Sequence, residues 1–216
     1  NEGLKERATE QSILKQLHSE YQSNLAQLDE KIFMRNEALE ASYFLLEQID
    51  HPANIEENAI YDAFWKLVRD PTFDPIVNDI VGSSNLRLIR NDSLVRLLSN
   101  WSSEVYQVQE LELQYQKFRS EILAPAYNRL GVSRNVNDAV WKDGYSPPEA
   151  LDKKNSVKLT IDQSPRPMDL REVLKDVELE GMIAQAITYH QVTNIQSGTL
   201  RDRILEMLEL MEGEID

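Results

Sequence analysis

The amino-acid sequence predicts an all-α protein, an antiparallel helical bundle of three long and two or more short helices, with an irregular excursion at about 132–168. Apolar residues recur at steps of three and four over most of the chain, which is the period of a helix with one buried face. Only seven Gly and eight Pro occur in 216 residues. The single alternating stretch, residues 156–161, is long enough for a short strand or an extended cover strip and no more.

Residues 1–50 are predicted to form the first long helix. They contain no Pro and one Gly, and they are rich in Leu, Glu, Gln, Ala and Lys, which favour helix. Two stripes at seven-residue spacing indicate one packed face: Leu25, Ile32, Leu39 and Leu46, and beside them Leu14, Tyr21 and Leu28. The helix is expected to end at Asp50, because Pro52 forces the residue before it out of the helical region.

The middle of the chain is predicted to hold two short helices and a second long one. The first short helix covers about 56–69, and the other begins at Pro75 and breaks at Gly82–Asn85. The long helix runs from Ser93 to about Leu130, with Asp92 or Ser93 as its N-cap and Gly131 just past its end. Pro125 is expected to kink its last turns.

Residues 132–168 lose the helical period and gather prolines, so we interpret them as either a packed excursion or a functional loop. Asp169 and Glu172 then form a capping-box pattern. The third long helix is predicted from there to about Met211, and Thr193–Thr199 is its weakest point, where a break is expected if the helix has one. We take residues 1–216 as a single helical domain.

The composition excludes several classes of function. The absence of Cys removes disulfides, thiolate metal sites and cysteine nucleophiles. With 23 basic and 37 acidic residues the formal net charge is −14, which disfavours nucleic acid as a partner. No window approaches the ~18 consecutive apolar residues of a transmembrane helix. The glycine spacing fits neither a dinucleotide fingerprint nor a P-loop.

The histidines do not have the spacing of a metal site. His18, His51 and His190 lack the His-Glu-x-x-His pattern, and none has a Glu three residues before it. The many paired acids are typical of a solvated helix face. We therefore predict no catalytic residue, no metal and no cofactor.

Three candidates for a ligand or partner surface lie in or near the excursion: Trp141, Tyr145 and Arg134. An aromatic side chain with a polar group often lines a binding surface. Trp141 is the strongest of the three tryptophans for this role, because it lies in the loop-rich stretch, whereas Trp101 falls on an apolar stripe.

Three further candidates are His190, Arg87 and Arg90. His190 lies among polar neighbours on an otherwise apolar helix, where it could recognise a polar ligand between helices; the competing interpretations are a partly exposed face and a satisfied buried histidine. Arg87 and Arg90 flank a turn and could hold a phosphate or carboxylate, but salt bridges to nearby acids explain them as well. Asn24 and Arg35 on the first helix are more typical of residues that set bundle register.

Two blocks of the sequence, Asn1–Leu25 and Ile80–Leu98, carry a resemblance to a known family. The first runs from Asn1-Glu2-Gly3-Leu4-Lys5-Glu6-Arg7 to Asn24-Leu25, and the second from Ile80-Val81-Gly82-Ser83-Ser84-Asn85-Leu86-Arg87-Leu88-Ile89 into the next helix. They resemble a family of uncharacterised bacterial single-pass membrane-anchored proteins. In that family an N-terminal transmembrane helix runs into a helical extracytoplasmic domain. The resemblance implies location and architecture and carries over no catalytic residue.

We therefore expect a soluble extracytoplasmic domain of a bacterial inner-membrane protein, facing the periplasm and anchored by a segment upstream of Asn1. Its predicted role is a non-enzymatic sensing or protein-interaction module with a protein partner in the cell envelope. Two alternatives remain open: a small-molecule-binding or enzymatic bundle with an unrecognised site, and a cytoplasmic dimerising scaffold. A homodimer is compatible with each of them.

Overall fold

The structure is a computed structural model that describes residues 2–53, 55–77, 84–144, 157 and 159–215. These residues form helices and linking segments without a β-strand, so the predicted all-α class is confirmed. The helices are α1 (Glu2–Asp50), α2 (Glu57–Val68), α3 (Asp92–Phe118), α4 (Ala124–Leu130), α5 (Ser133–Asp143), α6 (Leu170–Leu174) and α7 (Val177–Glu214). A 3₁₀ turn covers Ser84–Leu88, and a π-helical segment covers Arg119–Leu123.

The chain divides into two compact units, each with its own hydrophobic core. Unit 1 comprises residues 1–33, 72–110 and 193–216, and unit 2 comprises residues 34–71 and 111–192. Helices α1, α3 and α7 each contribute residues to both units. The prediction of one domain over residues 1–216 stays a prediction.

In unit 1, α7 runs antiparallel to α1. His18 Nε2 lies 2.9 Å from Glu212 Oε1, and further along α1 the Asp29 carboxylate lies 2.6 Å from Arg201 Nε on an earlier turn of α7. The core is apolar and comes from α1, α3 and α7: Leu14, Leu17, Tyr21, Leu28, Leu94, Leu98, Val108, Leu200, Ile204 and Met207. The predicted stripe of Leu14, Tyr21 and Leu28 is therefore confirmed as buried.

Within the same unit, α1 and α3 run parallel. Arg90, just before α3, donates its backbone N–H to Glu10 at 2.9 Å, and Trp101 packs edge-on against Tyr21 with ring centroids 5.0 Å apart. Both pairs therefore advance along the two helices in the same direction. Parallel neighbours cannot be joined by a tight turn. In unit 1, residues 72–77 run antiparallel to α1, since Asp74 contacts Gln27 and Ile76 contacts Asn24.

Unit 2 is built around α2, whose C-terminal carbonyl groups are capped by side chains from α3, α4 and the π-helical segment. The last carbonyls of a helix lack intrahelical partners and need donors from elsewhere. The Tyr127 hydroxyl donates to Phe64 O at 3.0 Å, and the Tyr115 hydroxyl donates to Leu67 O. Arg119 donates to Val68 O at 3.1 Å. These contacts fix the end of α2 without a glycine cap.

The helical stretch from α3 to α4 is unbroken, as predicted, but it widens before Pro125. Ala124 donates its backbone N–H to Arg119 O, five residues back. Pro125 has no N–H to donate, and its ring collides with the carbonyl four residues earlier, so a π-turn accommodates it. The N-cap is Asn91, whose side-chain oxygen accepts the Leu94 N–H at 3.0 Å; it precedes the two predicted caps.

Three predicted details are wrong. Residues 75–77 are not helical, and the remainder of that predicted helix, 78–83, lies outside the described residues. The excursion, predicted to be irregular, contains helix α5. The sequence did not reveal this helix because its eleven residues, between Gly131 and Gly144, are too few to show a clear helical period. The last long helix breaks not at Thr193–Thr199 but at Lys175–Asp176, where the Asp176 carboxylate accepts the Leu179 N–H at 2.8 Å and starts α7.

Asp169 is the N-cap of α6, as predicted, and accepts the Arg171 N–H at 2.9 Å. The alternating stretch 156–161 forms no strand in its described members, Val157 and 159–161. Those three apolar side chains, Val157, Leu159 and Ile161, are exposed. The described part of the stretch is therefore a cover segment over α5 rather than part of a sheet.

Substitution of two glycines tests the end of α4. Gly131 has φ +78°, so Gly131→Ala is expected to lower the free energy of unfolding by about 1 kcal/mol because L-residues are strained there. Gly198 lies inside α7 with open space at its Cβ position, so Gly198→Ala is the matched control and is expected to raise stability by up to about 1 kcal/mol. Urea unfolding followed by circular dichroism measures both; equal effects would contradict the assignment of Gly131 as the cap.

Candidate functional site

Residues 72–77 of unit 1 form an extended segment on the helices of that unit. They are neither helix nor strand, and their side chains alternate: Phe73 and Pro75 are buried, whereas Thr72, Asp74 and Ile76 are exposed. A period of two is the pattern of an extended chain with one face against a surface. The backbone groups of such a segment have no sheet partner and must be bound in another way.

Two side-chain amides on α1 bind this backbone at alternate residues. Asn24 accepts the Ile76 N–H at 2.7 Å and donates to Ile76 O at 3.4 Å. Gln27 accepts the Asp74 N–H at 2.7 Å and donates to Asp74 O at 2.9 Å. A primary amide presents one acceptor and one donor in the same plane, like a peptide group. Asn24 and Gln27 therefore act toward the segment as an adjacent strand would.

The opposite edge of the segment faces α3. Gln109 donates its side-chain N–H to Phe73 O at 3.3 Å. In an extended chain the backbone N–H and C=O groups of consecutive residues point to opposite edges, so those of residues 74 and 76 face α1 while the carbonyl of residue 73 faces α3. The Phe73 ring enters the unit 1 core and is 1% exposed. We call this arrangement the backbone groove: Asn24, Gln27, Gln109 and the core site occupied by Phe73.

In unit 2, residues 159–164 form a second segment, which is bound through its backbone along α5. Asp138 Oδ1 accepts the N–H groups of Ile161 and Asp162 at 3.2 and 3.1 Å, and Asn135 accepts the Ser164 N–H at 2.8 Å. Both Asn135 and Asp138 are buried. As with Asn24 and Gln27, the two polar residues are three positions apart on one helix. The second segment differs because its side chains over 159–163 are exposed, so its backbone contacts hold it in place.

A cleft of about 360 Å³ opens beside α2 and α5 in unit 2. Its polar lining comprises Asn58, Tyr61, Asp62, Asp138, Lys142, Asp143 and Gln163. Two of its carboxylates already have cationic partners, since Asp62 lies 3.0 Å from Lys66 and Asp138 lies 2.6 Å from Lys142. The Lys142 ammonium lowers the pKa of the Asp138 carboxyl below its usual range. The cleft is therefore largely neutralised by internal ion pairs.

A buried ion pair links α1 and α3 within unit 2. Arg35 donates to the Glu112 carboxylate and also to Pro71 O at 3.1 Å. Both side chains are almost wholly buried. Removal of one member of such a pair leaves an uncompensated charge in the interior. The pair therefore fixes the register of the two helices and the start of the chain that leaves α2.

His190 lies near this pair on α7. Its side chain is 2% exposed, its ring centroid is 4.1 Å from that of Tyr115, and its Nε2 has no hydrogen-bond partner among the described residues. Burial, together with the positive charges of Arg35 and Arg69, lowers the pKa of His190 to about 3. The imidazole is therefore neutral at physiological pH and inaccessible to a substrate. Of the interpretations of His190, the buried histidine describes its position, but its Nε2 is not satisfied by another described residue.

The six predicted surface residues fall into different places. In unit 2, Arg134 and Trp141 both contact the second segment: Arg134 Nε donates to Asp162 O at 2.8 Å, and Trp141 O accepts the Leu159 N–H at 3.4 Å. Tyr145 lies outside the described residues. In unit 1, Arg87 is exposed on the 3₁₀ turn.

Arg90 forms a salt bridge to a buried acid. Its Nε lies 3.4 Å from Glu10 Oε2, and Arg7 lies 3.0 Å from the same atom. The salt-bridge interpretation of Arg90 therefore describes its environment. Sequence reasoning missed Gln27, Gln109, Asn135 and Asp138 as binding residues. The available signal was an amide three positions from another polar residue on an apolar helix face, which marks Asn24 and Asn135.

Comparison of this chain with protein families, curated proteins and solved structures finds no match. Within the described residues, no group of three or more His, Asp and Glu is arranged to hold a metal ion. In the same part of the chain, none of the helices has a stretch long and apolar enough to cross a bilayer.

A double-mutant cycle tests the buried ion pair. Arg35→Met and Glu112→Met are each expected to lower the free energy of unfolding by about 3–5 kcal/mol, because each leaves the partner charge buried and unpaired. The double variant should lose far less than the sum of the two. Lys175→Ala, which breaks an exposed pair with Glu172, is the control and should have no measurable effect. Strict additivity would show that the two charges do not interact.

The depressed pKa of His190 predicts a pH dependence of stability. The unfolded chain takes up a proton near the ordinary histidine pKa of 6.5, whereas the folded chain does so only near 3. Stability should therefore fall as the pH falls through this window, by about 2 kcal/mol between about pH 7.5 and pH 5.

Urea unfolding at several pH values measures how the free energy of unfolding changes with pH. His190→Leu should flatten this dependence, because the variant has no imidazole to protonate in the unfolded chain. His51→Gln, at an exposed histidine, should keep the wild-type profile. If stability depends on pH in His190→Leu as it does in the wild type, groups other than His190 cause the pH dependence.

Proposed function

We propose that this chain is a non-enzymatic protein-interaction module, the extracytoplasmic helical domain of a bacterial membrane-anchored protein. The observation that carries the interaction role is the backbone groove of unit 1. Its helices bind an extended polypeptide through Asn24, Gln27 and Gln109, which contact main-chain atoms. Main-chain contacts combined with one inserted side chain are a common basis of peptide recognition.

The placement of the ionisable side chains also favours binding over catalysis. His190, the histidine with a polar neighbourhood, is buried and neutral. The Asp138 carboxylate is bound by Lys142 and two backbone N–H groups. A general acid or base must reach the substrate proton within hydrogen-bond distance. Neither of these groups is free to do so.

The membrane-anchored, extracytoplasmic location is part of the proposal and rests on the two sequence blocks that resemble the membrane-anchored family. The strong negative charge fits this location in one respect. An acidic domain has no electrostatic attraction to an anionic lipid surface, so attachment would depend on an anchor rather than on adsorption.

Fractionation of the full-length gene product in its own host tests the location. The protein is expected to remain in the membrane after alkaline carbonate extraction, because the extraction breaks peripheral contacts and leaves an anchor segment in the bilayer. Protease added to spheroplasts should remove the domain, because it faces outward. A known periplasmic-facing protein and a cytosolic enzyme serve as controls. Release into the soluble fraction, or protection from protease, would contradict the proposal and favour a cytoplasmic scaffold or an enzyme.

A further inference from the structure

We infer that the backbone groove of unit 1 is a recognition site for an extended segment of a partner protein, and that residues 72–77 occupy it as an internal ligand. The partner segment would carry an aromatic residue at the position of Phe73 and a small apolar residue or proline two positions later. This inference rests on the proposed interaction function and deepens it by naming the partner's chemistry.

The first step in the argument is that recognition in the groove is largely independent of side chains. Asn24 and Gln27 each bind both the N–H and the C=O of one residue, at Ile76 and Asp74. The exposed side chains of those two residues take no part in these bonds. Any extended chain without proline at these two positions offers the same four groups.

The second step concerns the buried side chains, which set the selectivity. Phe73 is the one residue of the segment whose ring enters the unit 1 core cluster. Pro75, also buried, has no N–H, and it lies on the edge that faces away from Asn24 and Gln27. The groove therefore requires an aromatic side chain and accepts a proline two positions later.

The third step is that the occupant departs from the ordinary pattern of a packed connection. Ile76 and Val77 are apolar but 48% and 77% exposed. A helix that packs on its neighbours would bury such residues. The segment thus contributes one aromatic ring, one buried proline and a short row of hydrogen bonds, and segments with few buried contacts open more readily than core helices.

Asn24 is the residue most specific to this role. It is 1% exposed on the inner face of α1, where an apolar residue would pack equally well in a bundle without a groove. Its amide forms two hydrogen bonds to the segment backbone, one with the N–H and one with the C=O of Ile76. Loss of the segment would deprive that amide of both bonds, so another extended chain that offers the same N–H and C=O groups would be favoured in its place.

The test uses a fluorescent peptide with the sequence of residues 71–77 and the full chain as Phe73→Ala. This substitution removes the inserted ring of the internal segment, so the peptide's own phenylalanine can take the core site. Fluorescence anisotropy should show binding at least about tenfold tighter than to wild type, where the tethered segment competes at an effective concentration of about millimolar. Phe33→Ala, at an exposed phenylalanine of unit 1, is the matched control and should bind like wild type.

Two further measurements define the site. A second substitution, Asn24→Ala, should weaken peptide binding to the Phe73→Ala variant about tenfold, the factor that corresponds to about 1.4 kcal/mol. A peptide with Ala in place of its Phe should not bind. Binding of both peptides alike, or no binding to a folded Phe73→Ala variant, would overturn the inference.

Wild-type protein supplies an independent readout if Phe73→Ala does not fold. Excess peptide should displace the internal segment and so accelerate hydrogen exchange at the Asp74 and Ile76 amides, without acceleration at amides inside α7. Unchanged exchange at these two amides would overturn the inference. Since these assays need no membrane, a failed peptide assay leaves the location test unaffected, and a failed location test leaves the groove intact.

Discussion

Burial of a polar group in a helical bundle costs free energy unless the group finds a partner inside the protein, and this constraint accounts for the path of much of the described non-helical chain. The inner face of α1 carries Glu10, Asn24 and Arg35, all of which are buried. In unit 1, Glu10 accepts the backbone N–H of Arg90, and Asn24 binds the backbone of Ile76. In unit 2, Arg35 binds Glu112 and the carbonyl of Pro71. Within each unit, the described parts of the connection from α2 to α3 therefore lie where these side chains can reach them.

The two units solve the same problem with the same geometry. Residues three apart on a helix are neighbours on one face, about 5–6 Å from each other. Alternate residues of an extended chain repeat at about 6.5–7 Å, so a pair of polar side chains at this spacing can contact successive backbone groups on one edge. Asn24 and Gln27 do so in unit 1, and Asn135 and Asp138 do so in unit 2. Helices thus hold extended chain without a sheet.

The long helices could be predicted because their signal is local. Periodicity and Pro52 define α1, and Gly131 with its positive φ defines the end of α4. The polar run at Thr193–Thr199 misled the prediction of a break, since Thr193 and Ser197 lie on the buried face of α7 and the helix continues through them. Asn24 was visible as a polar residue on an apolar face. Its partner was not, because Ile76 is 52 positions away and no local pattern encodes that contact.

An internal segment tethered in a binding groove raises the local concentration that a partner needs in order to bind there. An internal segment competes with any partner at a fixed effective concentration set by its tether, which for short connections is about millimolar. A partner segment with the same contacts would bind only where its local concentration approaches that value. Proteins confined to one membrane reach such local concentrations more readily than proteins free in solution. On the proposed membrane-anchored location, an internal ligand in the backbone groove would therefore select for partners anchored in the same membrane, and Phe73, whose ring holds the ligand in the core, would set the concentration that they need.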